Sequence, residues 1–83
     1  MRTSPFNPEP VAVFSSDNVP VRVLFKRKMQ EVREITNIWR VDDSWWSRPA
    51  SRMYFALELH GGSRITVFHD LLSNKWYRQN WTA

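Results

Sequence analysis

The chain has 83 residues, room for one small domain and no more. Its composition, 42% hydrophobic with five Trp, five Phe and two Tyr, excludes wholesale disorder, and two Gly exclude collagen-like and flexible low-complexity classes. The absence of Cys excludes a disulfide framework, thiolate zinc sites and a Cys nucleophile, while a formal charge of +4 suits a polyanionic partner as well as mere solubility.

Residues 1–10 read as a Pro-rich tail or edge-hugging arm, since Pro5, Pro8 and Pro10 interrupt regular backbone hydrogen bonding, and residues 11–83 as a single β domain. Apolar runs are only a few residues long, so no secretory or membrane segment is expected and the expected setting is cytoplasmic. From Val11 the rhythm is period two. A short strand at Val11 and Val13 precedes a turn over 15–18, and Val19, Val21, Val23 and Phe25 then share one face of a better strand, with Pro20, Arg22 and Lys26 on the other.

Residues 28–41 carry apolar side chains at mixed spacing. Met29, Val32, Ile35, Ile38 and Trp39 would suit a helix face, but the β-branched residues and the lack of an N-cap favour a long strand. With Lys26-Arg27 as a hairpin tip, Val21 falls opposite Val32, Leu24 opposite Met29 and Arg22 opposite Glu31, so charge and apolarity both match. Lys and Arg are poor formers of a tight type I′ turn, which predicts a longer or bulged tip, and the apolar phase slip from Val32 to Ile35 predicts a bulge near Glu34. Residues 42–52 read as a loop. Strands follow at 53–60, 63–69 and 75–81, joined by Gly61-Gly62 and by a turn over 70–74. The sum is an all-β chain, a small antiparallel meander of five to six strands forming an SH3-like barrel or a strongly bent sheet.

Little in this pattern carries catalysis. His69-Asp70 is the one adjacent pair suited to proton transfer, and alternation along a strand sends the two side chains to opposite faces; a His packed on the sheet and an Asp starting a turn explain them. Asp42 and Asp43 lack metal-ligand spacing with His60 or Glu58, and Gly61-Gly62 lacks the residues of a phosphate-cradling loop. No catalytic residue, metal or cofactor is therefore expected.

What remains is cations and aromatics. Arg22, Lys26, Arg27, Lys28 and Arg33 fall on or beside the first hairpin and suit a phosphate backbone, or serve only to keep an exposed edge soluble. Trp45, Trp46 and Arg48 resemble a base-stacking platform, and with Pro49 they equally suit a protein-binding hot spot; Trp39 is expected to plug the barrel end.

The run Val23-Leu24-Phe25-Lys26-Arg27-Lys28, followed by Val32-Arg33-Glu34-Ile35, Trp39-Arg40, Trp45-Trp46-Ser47-Arg48-Pro49, Tyr54 and 70–77, resembles a small uncharacterised bacterial domain family. The resemblance spans Val19 to Tyr77, with Arg27 in place of a turn glycine and Gln30 in place of an aromatic. It implies a genomic setting near error-prone Y-family polymerases and their mutagenesis partners, and it carries over no catalytic residue. Two expectations follow. One is a non-enzymatic module that binds single-stranded nucleic acid weakly in a DNA-repair context, through Arg22, Lys26, Arg27, Lys28, Arg33, Arg48, Trp45 and Trp46. The other is an adaptor using Trp45, Trp46, Arg48 and Pro49 on a DNA polymerase-type protein or in a homodimer.

Overall fold

A computed structural model describes residues 8–45 and 48–79, with the backbone alone described at 43–45 and 48–50. Seven strands form: β1 (Glu9–Pro10), β2 (Val13–Ser16), β3 (Val19–Phe25), β4 (Lys28–Trp45), β5 (Arg48–Leu59), β6 (Arg64–Asp70) and β7 (Lys75–Gln79). All pairings are antiparallel, in the order β1-β7-β6-β5-β4-β3-β2. The all-β, barrel-like meander is therefore as the alternation implies, with no helix among the described residues.

The two ends of that order, β1 and β2, are consecutive in the chain. The Val11 N–H donates to the Trp76 carbonyl at 3.2 Å, and the next residue, Ala12, accepts from the Leu24 N–H at 2.9 Å. One stretch thus binds β7 on one side and β3 on the other, drawing the sheet into a barrel and shielding edges that would otherwise stay open. Residues expected to be tail are part of this staple: Glu9 and Pro10 pair with Arg78 and Tyr77. Proline at such a strand start loses no ladder bond. Residues 1–7 of the expected tail, including Phe6, lie outside the described residues.

Lys28–Val41 is strand, and β4 bends to serve two partners. Its first four residues pair with β3 and the rest with β5, with register shifts between Val32 and Glu34 and between Ile35 and Asn37. The bulge foreseen near Glu34 is present, with a second one beside it; each extra residue adds the twist that turns a corner. Arg22 does face Glu31, and Leu24 faces Met29, but Val32 pairs with Leu59 of β5 in place of the expected Val21, because β4 turns away from β3 after Glu31. The expected loop over 42–52 is instead the far end of a β4–β5 ribbon, Asp42 pairing with Ser51 and Trp45 with Arg48. Turn-forming residue types misled there because the ribbon extends past the last β5–β6 pair, Arg52 and Asp70, and draws its order from ladder bonds alone.

Val23, Phe55, Leu57, Leu59 and Val67 form the buried core, flanked by Val13, Val32, Ile35, Ile65 and Trp76. Each fully buried side chain of this size contributes roughly 1.5–3 kcal/mol. Two face assignments from the sequence are corrected. Val19 and Val21 are exposed while Pro20 is buried, because a register shift between Phe14 and Ser15 leaves Val21 unopposed and reverses the alternation N-terminal to it. Trp39 does not plug the barrel. It stacks on Tyr54 at 5.2 Å and 7°, and the row continues through Phe68 and Tyr77, aligned across β4 to β7 on the face opposite the core. Such pairs add about 0.5–1.5 kcal/mol each beyond their burial, and the Arg52 guanidinium lies 4.8 Å from the Phe68 ring.

Candidate nucleic-acid interface

The cations of the first hairpin are positioned by its turn. Phe25 pairs with Lys28, so only Lys26 and Arg27 connect β3 to β4, at φ 54° and 64°. Positive φ at both central residues is type I′ geometry, whose right-handed twist matches the flanking strands. The longer or bulged tip expected from these residue types is therefore corrected: strand register dictates the tight turn and overrides local preference. For side chains other than Gly, Asn or Asp, the left-handed conformation costs on the order of 1 kcal/mol per residue. The Gln30 amide, donating from Nε2 to the Phe25 carbonyl at 2.9 Å, braces the turn from the side.

Around this tip three surface grooves meet. One runs past Lys26, Lys28, Gln30 and His60; a second past Leu24, Phe25, Arg27 and Arg78; a third past Phe25, Arg64, Thr66 and Gln79. The Phe25 ring is flanked by two cations, the Lys26 Nζ at 5.6 Å and the Arg78 guanidinium at 5.4 Å from its centroid. Compensation differs among the positive groups. Arg78 is bound by Glu9, Nη2 to Oε1 at 2.6 Å; Arg64 sits opposite Glu58 and Arg22 opposite Glu31. Lys26, Arg27 and Lys28 are exposed and have no ion pair among the described residues. Arg22, Arg33, Arg64 and Lys75 likewise form no ion pair among the described residues, and what sets the turn apart is three such cations in succession.

The sequence-predicted residues do not form one site. Lys26, Arg27 and Lys28 gather at the start of β4, Arg33 is exposed at the first bulge, and Trp45 and Arg48 occupy the tip of the ribbon at the other end of that strand. Trp46 lies outside the described residues, and Pro49 pairs through its backbone with Ser44. A stacking platform contiguous with the basic turn is thus not what the chain builds from Trp45 and Arg48.

Phe25, Arg64, Arg78 and Gln79 were not singled out by sequence reasoning. Gln79 is 3% exposed, and neither its Nε2 nor its Oε1 has a hydrogen-bond partner among the described residues. An unmet buried amide costs about 1–3 kcal/mol. No local signal marks it, since Thr66 becomes its neighbour only once β6 and β7 pair.

The His69 and Asp70 side chains act separately. His69 is buried, stacked on Trp76 at 4.3 Å, with Nε2 2.8 Å from the Asn74 Oδ1, while the Asp70 carboxylate accepts from the Leu72 and Ser73 amides at 3.0 and 3.2 Å. This is turn chemistry, as the sequence implied. At the ribbon, Asp42 accepts from the Ser51 hydroxyl at 2.6 Å and from the Arg40 Nε at 2.8 Å; first the Ser51 bond and then Arg40 hold its carboxyl below the usual carboxylate range. Among the described residues no group of three or more His, Asp or Glu could hold a metal ion, and no helix is long and apolar enough to cross a membrane. No family model, curated protein or solved structure matches the chain.

Proposed function

We propose that this chain is a non-enzymatic β module that binds single-stranded nucleic acid through its backbone, weakly and without sequence preference, using Lys26, Arg27 and Lys28. The observation that carries the reading is the strained turn: two unpaired cations occupy left-handed positions that Asn-Gly would fill without strain. Strain of this kind is stored where a side chain has a task that its conformation alone would not select for. Arg64 and Arg78 lie along the adjoining groove, and the Phe25 ring between Lys26 and Arg78 adds an aromatic surface beside the phosphate track. A cytoplasmic setting, which rests on the short apolar runs, and a role beside repair or translesion polymerases, which rests on the sequence resemblance, belong to the same proposal.

The test is anisotropy of a labelled mixed-sequence single-stranded oligonucleotide. A label on the nucleic acid is preferable to intrinsic fluorescence, because among the described residues no Trp lines the three grooves around the tip. Three phosphate contacts give a slope of log affinity against log salt of about −2. Undetectable binding at low salt overturns the reading.

A second reading has its own support. Among the described residues the β4–β5 ribbon beyond Arg52 has no third strand, and Trp45, Arg48 and Pro49 stand at its end. A projecting arm with that composition suits an adaptor docking on a polymerase-type protein. Replacing Trp46 by Ala would abolish partner capture while leaving the fold intact; unchanged capture would remove this reading.

A further inference from the structure

β4 has an unused edge. Its partner β3 pairs only with 28–31, so from Arg33 onward no described strand lies on the side away from β5. Bulges interrupt the first part of that edge, but from Asn37 to Trp45 the ladder is unbroken, nine residues without proline or register shift. The Ile38 N–H is bonded to the Asn37 side-chain oxygen at 2.9 Å instead of to β5, which fixes the phase: Ile38, Arg40, Asp42 and Ser44 direct their backbone donors and acceptors outward. A row of this kind is a template for another strand.

We propose that the occupant is a second copy of this chain, its β4 laid antiparallel on the first with the two-fold axis at Val41. Length, phase and charge each favour that register. Val41 is the midpoint of the unbroken stretch, so Asn37 meets Trp45 of the other copy and every residue of the edge is used. The outward-facing residues then meet one another, Ile38 with Ser44 and Arg40 with Asp42, as hydrogen-bonded pairs on both sides of the axis. Arg40 and Asp42, both exposed on one face, are bonded within the chain at 2.8 Å; across the two-fold axis they form a four-charge array with their counterparts. Shifting the axis to residue 40 or 42 opposes Arg40 to Arg40 or Asp42 to Asp42, and shifting it to residue 39 carries the pairing into the bulge at Thr36. Val41, partly exposed on the other face, meets its own counterpart. The sheet would then run continuously from β7 of one copy to β7 of the other.

Sedimentation equilibrium over a wide concentration range, up to millimolar, tests this on the full chain. A wild-type dimer is expected. R40D and D42R, each alone, place like charges opposite one another on both sides of the axis and weaken the dimer by roughly ten-fold or more. Mixed in equal amounts the two variants are complementary again, and a heterodimer of near wild-type affinity is expected. Far-ultraviolet circular dichroism of each variant verifies the fold, and restoration in the mixture shows that local damage is not the cause. A wild-type chain that stays monomeric throughout, or variants that dimerise as well as wild type, overturns the proposal. Neither result bears on oligonucleotide binding at the Lys26–Lys28 turn, which is measured separately.

Discussion

The two turns that bracket β3 have the same backbone and opposite chemistry. Asp17-Asn18, joining β2 to β3, takes φ 53° and 65°; Lys26-Arg27, joining β3 to β4, takes φ 54° and 64°. The first is filled by residues whose short polar side chains tolerate the left-handed region, the second by two long cations that do not. Each turn closes a directly paired step, Ser16 with Val19 and Phe25 with Lys28, so the same geometry holds whichever residues fill it. The first turn carries residues suited to its conformation, and the second carries cations where conformation alone would select Asn-Gly. Gln79, with its unmet buried amide, lines a groove at the same end of the barrel as the second turn. Local cost thus gathers at one end of the molecule.

The comparison yields graded expectations. Reversing the charge at the second turn (K26E with R27E) has the largest effect: binding to a single-stranded oligonucleotide falls by about ten-fold or more at low salt. Next come matched alanine variants at the two turns. Asn18→Ala loses about 1 kcal/mol in urea unfolding, since Ala gives up the left-handed tolerance of Asn, and leaves binding unchanged. Arg27→Ala stays within about 0.5 kcal/mol of wild type, one poorly suited residue replacing another, yet weakens binding. If the two alanines behave alike in both assays, the distinction between the turns is lost. Lys28→Gln lies outside the strained pair and is expected to flatten the salt slope by about 0.7, with no measurable change in stability.

The smallest effect concerns the ribbon end of β4. The folded Asp42 carboxyl titrates below its unfolded value, so its contribution to stability is present above the unfolded pKa and is lost as pH falls through the folded one. Because the group is exposed, the effect is best read as an NMR titration midpoint, which Ser51→Ala shifts upward toward the ordinary carboxylate value.

Much of this architecture is legible in the sequence, because period-two alternation and cross-strand matching are local signals. The β3–β4 register follows from placing Arg22 against Glu31, and the β4 bulge from the slip between Val32 and Ile35. What stays hidden depends on contacts between distant segments. The buried Pro20 follows from a bulge that only pairing with β2 creates, and the aromatic row from Trp39 to Tyr77 needs four strands in register before it exists. At the site, the cations of the turn are evident from their run at 26–28. Arg64, Arg78 and Phe25 join them only when the barrel closes, and the separation of Trp45 from the basic turn becomes plain once residues 28–45 are one strand. The left-handed φ of Lys26 and Arg27 runs against their residue types, so no propensity argument could supply it.

The most direct measurement pairs stability with binding in one variant, Lys26→Asn with Arg27→Gly. The substitutions relieve both left-handed positions and remove two cations. The account predicts a chain more stable by about 1–2 kcal/mol in urea unfolding whose salt slope for single-stranded oligonucleotide is flatter by about 1.4. A variant that gains the stability and binds as tightly as wild type, with the same slope, would contradict it, because the strain at the second turn would then serve no contact with nucleic acid.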